Sequence, residues 1–350
     1  MVYQKEAIEM VNMFQISVVI CCYNSEPRIG RTLESLLAQQ FKNAVGWEVV
    51  LVDNNCADQT IEVAQAVWES AAVPLRIVQE CIPGLSAARD RGVAESAGEY
   101  ILFCDDDNWL ASDYLQRAFA FMEASSAYAA IGGWGDVVSD PDVSIPDWFK
   151  RFETKYACGK TNAEGDVDTL VGAGMFIRKQ ALLDLQRSSF KSLLSDRKGE
   201  ALSSGGDLEL CLALRLSGLK LYFSEALYFK HYMPEGRLTE DYLIRMCHGH
   251  ALSRPVIGEY CRLLVLQGAS GQQLRRLVPF CLIAIYRLLR GILGVVGRSA
   301  QSAHDLPAKV HHAIESATNQ QYWQLLRSGQ VFGLRKRVQM NLAGARGDRR

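Results

Sequence analysis

The sequence predicts an α/β fold with a mostly parallel sheet, followed by a helical C-terminal region. Three observations carry this. Apolar runs at residues 16–22, 47–52, 75–79 and 100–104 alternate with segments of helical periodicity. The runs lack in–out alternation, as expected for strands covered on both faces. Polar residues gather where the runs end: Tyr23 and Asn24, then Asp53, then Asp105 to Asp107. Parallel strands joined by right-handed crossovers place those ends on one edge of the sheet.

The first strand, ISVVICC, is followed by a turn at Tyr23-Asn24-Ser25-Glu26-Pro27. Ile29, Leu33, Leu36 and Leu37 then recur at helical spacing up to Gln40. The second strand ends at Asp53-Asn54-Asn55. A helix over 57–71 carries Ile61, Ala64, Val67 and Trp68 on one face. The third strand leads to a small-residue helix over 85–97 and then to the fourth strand. Residues 130–138 mix glycine, Trp134 and strand formers. Residues 140–153, rich in Pro, Asp and aromatics, predict a loop with a short helix. Gly172-Ala173-Gly174 adjoins an apolar strand. Ser204-Gly205-Gly206-Asp207 precedes a helix with Leu210 and Leu214 inward, ending at Gly218. Residues 219–229 are strand-like and lead to Lys230-His231; from Thr239 the pattern is mainly helical, with a break at Pro255. The organisation that follows is a tail over 1–14, a main domain over 15–235 and a helical region with a basic tail over 236–350.

The composition is that of a globular protein, with 49% hydrophobic and 22% charged residues, and the formal charge of −1 argues against a nucleic-acid partner. The ten cysteines form no C-x-x-C pair, and several lie inside apolar runs, as small core residues do in a reducing compartment. The first 14 residues have no long apolar core and predict no secretory signal. A cytoplasmic location follows. Residues 277–297 are strongly apolar but interrupted by Pro279, Arg287 and Arg290, too broken to span a bilayer. With basic residues on both sides, the segment fits a helix lying on the inner face of an anionic membrane, or one packed on the main domain or a second subunit. Both readings stand, and so does an oligomer.

The run Tyr100-Ile101-Leu102-Phe103-Cys104-Asp105-Asp106-Asp107-Asn108-Trp109 is the most informative. Three adjacent carboxylates at a strand end repel one another, so positive charge must sit among them. A hard divalent cation carrying a diphosphate is the simplest candidate. The competing reading is a solvated turn that caps the next helix.

SVVICCYNSE, VVLVDNNCADQT, PGLSAARDRGVAESAGEYILFCDDDNWL, GAGMFIRK and GGDLELCLALRLSGLKL, in this order, resemble a family 2 glycosyltransferase. The resemblance covers roughly residues 15–235. It implies a GT-A fold, the Rossmann-like sheet of nucleotide-diphospho-sugar transferases. It also implies inverting transfer of a sugar from a nucleotide diphosphate donor to a hydroxyl of a saccharide or lipid-linked acceptor, with Mg²⁺ or Mn²⁺. By the same resemblance Asp53 reads the base, a role suited to a uracil imino N–H and hence to a UDP-sugar. A helix cap or loop acid is the alternative for Asp53. Tyr23 can stack on the base, or simply pack. The backbone of Cys21 lies against the base, and Glu26 binds ribose or orients its loop. Arg89 matches the family arginine near the nucleotide; a surface ion pair competes. Asp105 and Asp106 lie near ribose and diphosphate, and Asp107 is the metal ligand, with His231 a further metal or diphosphate contact. Asp207 is the general base, although the family's usual Glu-Asp is Gly206-Asp207 here, and a helix cap or Glu209 as the acid remains open. Gly172 and Gly174 bring backbone to the donor sugar or acceptor, or form a plain bend. Trp134 stacks on a sugar or packs.

Two other function classes meet the same residues. A nucleotidyltransferase would want a Gly-rich, basic phosphate loop after the first strand, which CCYNSEPRIG lacks. A non-catalytic nucleotide-sugar-binding subunit would bind donor with Asp207 dispensable.

Overall fold

The computed structural model describes residues 14–188, 190–194, 196, 197, 202 and 204–266. The N-terminal tail up to residue 13, the apolar segment 277–297 and the basic tail lie outside the described residues. The chain divides into two compact units, one of Met1–Asp184 with Leu219–Leu238, the other of Leu185–Gly218 with Thr239–Arg350.

The first unit is built on one mixed sheet. Its strands are β1 (Ile16–Cys22), β2 (Trp47–Asp53), β3 (Leu75–Gln79), β4 (Tyr100–Asp105), β5 (Asn108–Leu110), β6 (Tyr128–Val138), β7 (Gly165–Val167), β8 (Met175–Arg178) and β9 (Lys220–Tyr232). They lie in the order β3-β2-β1-β4-β8-β6-β9-β5, with β7 paired to β9. The predicted parallel pairing holds through β3-β2-β1-β4. Beyond it, β8 runs antiparallel to both β4 and β6, while β6 and β9 are parallel. Register sets the functional edge. Cys22 stands opposite Asp53, Asp53 opposite Gln79, and Cys21 opposite Asp105.

Both faces of the parallel half are covered, which is why its strands read as unbroken apolar runs. Val18, Ile20, Cys22, Val49, Leu51, Leu102 and Cys104 join one core with Ile29, Leu33 and Leu36 of α1 (Glu26–Leu37), Ala64 and Trp68 of α2 (Thr60–Trp68), and Leu115 and Met122 of α4 (Tyr114–Ala124). The opposite face carries α3 (Leu85–Glu95) against β1 and β2. A β-carbon added at Gly92 would fall 2.3 Å from Val19 Cγ1 and 3.3 Å from Val52 Cγ2. The small-residue composition of this helix is therefore a condition of its close approach to the sheet.

The helix over 57–71 is shorter than predicted, because Asp58 turns the chain: its carboxylate accepts the backbone N–H groups of Thr60, at 3.2 Å, and Glu26, at 3.0 Å. The short helix expected within 140–153 is α5 (Phe149–Phe152). The three-residue β5 carries no periodicity of its own. It exists because it pairs with β9, and this pairing sets Asn108 opposite His231. After β8 the chain continues as α6 (Lys179–Arg187).

The second unit contains α7 (Gly206–Leu216), α8 (Glu240–Leu252) and α9 (Arg254–Leu266), with α9 packed on α7. Leu214 is buried as expected, whereas Leu210 is only half-buried, and Cys211, Leu212 and Leu216 take inward positions. The helical break falls at Ser253, and Pro255 sits in the first turn of the next helix, where its missing N–H costs nothing. Among the described residues no helix is long and apolar enough to cross a membrane.

The Gly92 contact generates a test. Gly92→Ala should lower stability by about 1–3 kcal/mol, the usual cost of overpacking. Val19→Ala in the same chain should return part of that loss in urea denaturation. Two additive losses would show that the helix does not rest on Val19.

Candidate functional site

The C-terminal edge of the parallel strands gathers most of the sequence-predicted residues. Asp53 ends β2 half-buried, and its Oδ1 accepts the Cys56 N–H at 2.8 Å. Next to it, buried Asn54 ties down a neighbouring loop. Its amide donates to the carbonyls of Glu80 and Ile82, and its oxygen accepts from Gly84 N–H, each at 2.8 Å. Asn24 and Asn55 take left-handed conformations at φ 50° and 66°, and Asn24 Oδ1 accepts from Ala57 N–H. Short polar side chains adopt this backbone readily. Tyr23, 51% exposed, leaves its ring uncovered at this edge. Glu26 accepts from Gln59 N–H at 3.1 Å, which supports its loop-orienting role. Burial pushes the Cys21 thiol up to about 12 against the opposing pull of Arg89, so it is neutral. Arg89 reaches from α3 over the Phe103 ring at 5.2 Å and lies 3.7 Å from Asp105 Oδ1.

The three adjacent acids point in three directions, and the chain itself supplies a cation to each. Asp105 has Arg89. Asp106 is buried against the start of α1. Its Oδ2 accepts from Ser25 Oγ and from Arg28 at 2.9 Å (Nε), and its carbonyl accepts from Thr32 Oγ1 at 2.8 Å. Asp107, only 3% exposed, is bound by Arg237 at 2.7 Å on Oδ2 and by His231 Nε2 at 3.3 Å on Oδ1. The positive charge expected among these acids is thus supplied, in this structure, by Arg89, Arg28, Arg237 and His231. Arg28, Arg237, Ser25, Asn54 and Cys158 were missed. Arg28 and Arg237 each lie a few residues past the end of a strand that reaches this edge, the one sequence signal that marks them.

Burial alone would push the Asp107 carboxyl up, but His231 and Arg237 outweigh it and hold it far below the ordinary carboxylate range. Burial likewise works against a charged His231. Asp107 prevails, aided by Cys158, and raises the imidazole to about 10. The Cys158 thiol donates to the Tyr156 carbonyl, 3.5 Å away, so at 3.7 Å from His231 Nδ1 its sulfur is the acceptor. His231 therefore carries a proton on Nδ1 and turns Nε2 to Asp107.

Asp107 Oδ1 and His231 Nε2 are an oxygen and an imidazole nitrogen 3.3 Å apart. Neighbouring ligands of an octahedral ion with bonds of roughly 2.1 Å stand about 3 Å apart, so this donor pair fits a divalent cation. Arg237 would keep the other carboxylate oxygen. Among the described residues no cluster of three His, Cys, Asp or Glu side chains is placed to hold an ion unaided. Such a cation would draw its remaining ligands from substrate and water.

Trp134 is already engaged. Its indole donates to the Glu225 carbonyl at 3.0 Å, Tyr228 packs on it at 4.9 Å, and Lys160 Nζ lies over it at 5.4 Å. Gly174 has φ 76°, donates to the Phe103 carbonyl at 2.9 Å, and has no room for a β-carbon beside the Tyr114 hydroxyl. Gly172 accepts from Met175 N–H at 3.1 Å in the same bend. These contacts support the packing and bend readings for Trp134 and the two glycines.

In the second unit, Asp207 sits in the first turn of α7. Glu209 is fully buried. It accepts from Leu193 N–H and Leu194 N–H at 2.9 Å, from Ser192 Oγ, and from Tyr260 Oη at 2.8 Å. A carboxylate so saturated is a structural tie.

The His231–Asp107 pair makes stability pH-dependent. An unfolded imidazole titrates near 6.5 and the folded one near 10, so the pair contributes fully below pH 6.5 and its contribution is lost as pH rises through 10. The Asp107 share is present above its ordinary value of 3.8 and is lost only in stronger acid. In EDTA, Tm should fall between pH 6.5 and 10, and His231→Gln should flatten that fall. Equal slopes in both proteins would remove the pair as the cause.

Residues 17–185 match the family model for Glycosyl transferase family 2. The chain is 32% identical over 120 residues to the glycosyltransferase GlyA of Streptococcus pneumoniae (34% of this chain, 17% of GlyA). It is 29% identical over 119 residues to the cholesterol galactosyltransferase of Borreliella burgdorferi (34% of this chain, 32% of the relative). The matches therefore span a third or less of these relatives' lengths. The crystal structure of Staphylococcus aureus TarS 1–349 in complex with UDP-GlcNAc superposes with a TM-score of 0.52 at 18% identity, over 95% of this chain and 90% of that one. This likeness is one of fold, and the α/β sheet described above is the GT-A arrangement. Over residues 17–185, just under half of its length, this chain is similar to glycosyl transferase family 2.

Proposed function

We propose that the protein is an inverting glycosyltransferase. It moves a sugar from a UDP-type donor to a hydroxyl of a saccharide or lipid-linked acceptor in the synthesis of a surface polysaccharide or glycolipid. The observation that carries this reading is the sheet edge. Cys22 stands opposite Asp53 and Cys21 opposite Asp105 on parallel strands, Tyr23 is exposed beside them, and Arg89 lies over Phe103. An open α/β sheet binds nucleotides just beyond such strand ends. The relatives named for transfer to cholesterol and, in S. aureus TarS, to poly(ribitol-phosphate) support a lipid or polymer acceptor.

In this reading Asp53 accepts the imino proton of the base while Tyr23 stacks on its face. Arg89 and Asp105 orient the ribose and diphosphate. A Mg²⁺ or Mn²⁺ held by Asp107 and His231 would supply positive charge to the departing diphosphate. Arg237 keeps Asp107 aimed, and Arg28 holds Asp106 so that the neighbouring carboxylate does not repel the donor. Asp207 takes the proton of the acceptor hydroxyl as its oxygen bonds to the anomeric carbon, and the electron pair of the broken C–O bond leaves with the diphosphate. Gly172, Gly174 and Trp134 support the walls of the sugar site through their packing. The catalytic region extends over 15–235, and the region 236–350 either rests on the inner face of the cytoplasmic membrane through its basic and apolar residues or packs within the protein.

A thermal-shift series with UDP-glucose, UDP-galactose and UDP-GlcNAc, with and without Mn²⁺, tests the donor. A bound donor at a hundredfold excess over Kd should add about 2.7 kcal/mol of stability. Asp53→Asn should abolish that shift, and Asp107→Asn should remove its Mn²⁺ dependence and stop turnover. Asp207→Asn should keep the donor shift but slow transfer by about 10²–10⁴-fold. Failure of every UDP-sugar to stabilise the protein would overturn the donor assignment.

A further inference from the structure

The start of α7 is held by a strap on both sides of Asp207. On one side, Glu209 takes the backbone N–H groups of Leu193 and Leu194 and the Ser192 hydroxyl. On the other, Asp196 Oδ1 accepts the Gly206 N–H at 2.9 Å. Asp196 is buried. A β-carbon at residue 206 would meet Asp196 Oδ2 at 2.3 Å and its carboxyl carbon at 2.8 Å, so the Asp196 carboxylate fills the space of a side chain there. Gly205, at φ 130°, leaves no better room. A β-carbon there would lie 2.9 Å from Ser253 Cβ and 3.0 Å from Leu194 Cδ1. Gly206 is thus the imprint of the strap pressed onto the helix terminus, while Gly205 is held by its positive φ and by Ser253 and Leu194.

We propose that Asp196 is a positioning residue for Asp207. Its carboxylate fixes the Gly205–Gly206 turn and so the direction from which the Asp207 side chain leaves the helix. The inference rests on the reading of Asp207 as general base. It also explains a glycine at residue 206. A carboxylate delivered by the strap already occupies that volume, and any larger residue would lift the strap off residues 206 to 209. A neutral amide at residue 196 keeps the same acceptor, since Asn and Asp are equivalent partners for N-terminal helix N–H groups.

The test uses the full chain with Asp196→Ala, Asp196→Asn, Gly206→Ala and Asp207→Asn. It has two readouts. The first is amide hydrogen exchange. Asp196→Ala should speed exchange at 206–209 at least tenfold while leaving β1 at 16–22 unchanged, and Asp196→Asn should match the wild type. Unaltered exchange in Asp196→Ala overturns the proposal. The second is release of UDP from UDP-GlcNAc with water as acceptor. Asp196→Ala and Gly206→Ala should each lower kcat about tenfold at unchanged donor KM, and Asp196→Asn should restore the rate. In the Asp207→Asn background, Asp196→Ala should cause no further loss, because a positioning residue acts only through the group it positions. A further tenfold loss in that background would reduce Asp196 to a general stabiliser. If Asp207→Asn itself leaves UDP release intact, the general-base reading fails, and the exchange result then reports on the strap alone.

Discussion

The mutual repulsion of Asp105, Asp106 and Asp107 organises the candidate donor site. Three carboxylates on consecutive residues cannot share one direction without a high electrostatic cost, and the chain separates them. Arg89 approaches the first from α3, Arg28 holds the second against the start of α1, and Arg237 with His231 meets the third beyond β9. Each partner comes from a different crossover or strand end, so the acid cluster couples elements far apart in sequence. Burial enforces the arrangement, since an unpaired carboxylate at Asp106 or Asp107 would cost several kcal/mol.

This coupling explains how much of the site was legible in the sequence. The strands β1 and β3 appear with the bounds expected from their apolar runs, and the polar strand ends line one edge because parallel pairing leaves no alternative. Positive charge among the acids was also foreseen, but only as an external ion. Arg28 lies in an ordinary amphipathic helix and Arg237 in a short turn, and apart from following a strand end neither position has a pattern that announces a buried partner. The link between His231 and Asp107 depends on β5, a strand of three residues created by pairing with β9. A period cannot be read in three residues. The roles of Trp134 and Gly174 were undecidable from residue type alone, because stacking on a sugar and packing against Lys160 or Tyr114 call for the same side chains.

The second unit follows a different rule. Its acids are distinguished by burial. Asp207 and Glu209 are two residues apart in one helix turn, and from sequence either could serve as a base. Glu209 satisfies backbone N–H groups and the Tyr260 hydroxyl inside the fold, so removing its charge would strand several donors at once. Saturation ties Glu209 to the fold, so it is held as a structural group rather than presented as a base.

Gly92 has a reach beyond packing. It lies one turn from Arg89 on the same helix, and its missing side chain lets that helix sink onto Val19 and Val52. The height of the guanidinium above Phe103 is therefore governed by a hydrogen atom on the sheet-facing side of the helix. A requirement for nucleotide fit would in this way constrain a residue that no nucleotide touches.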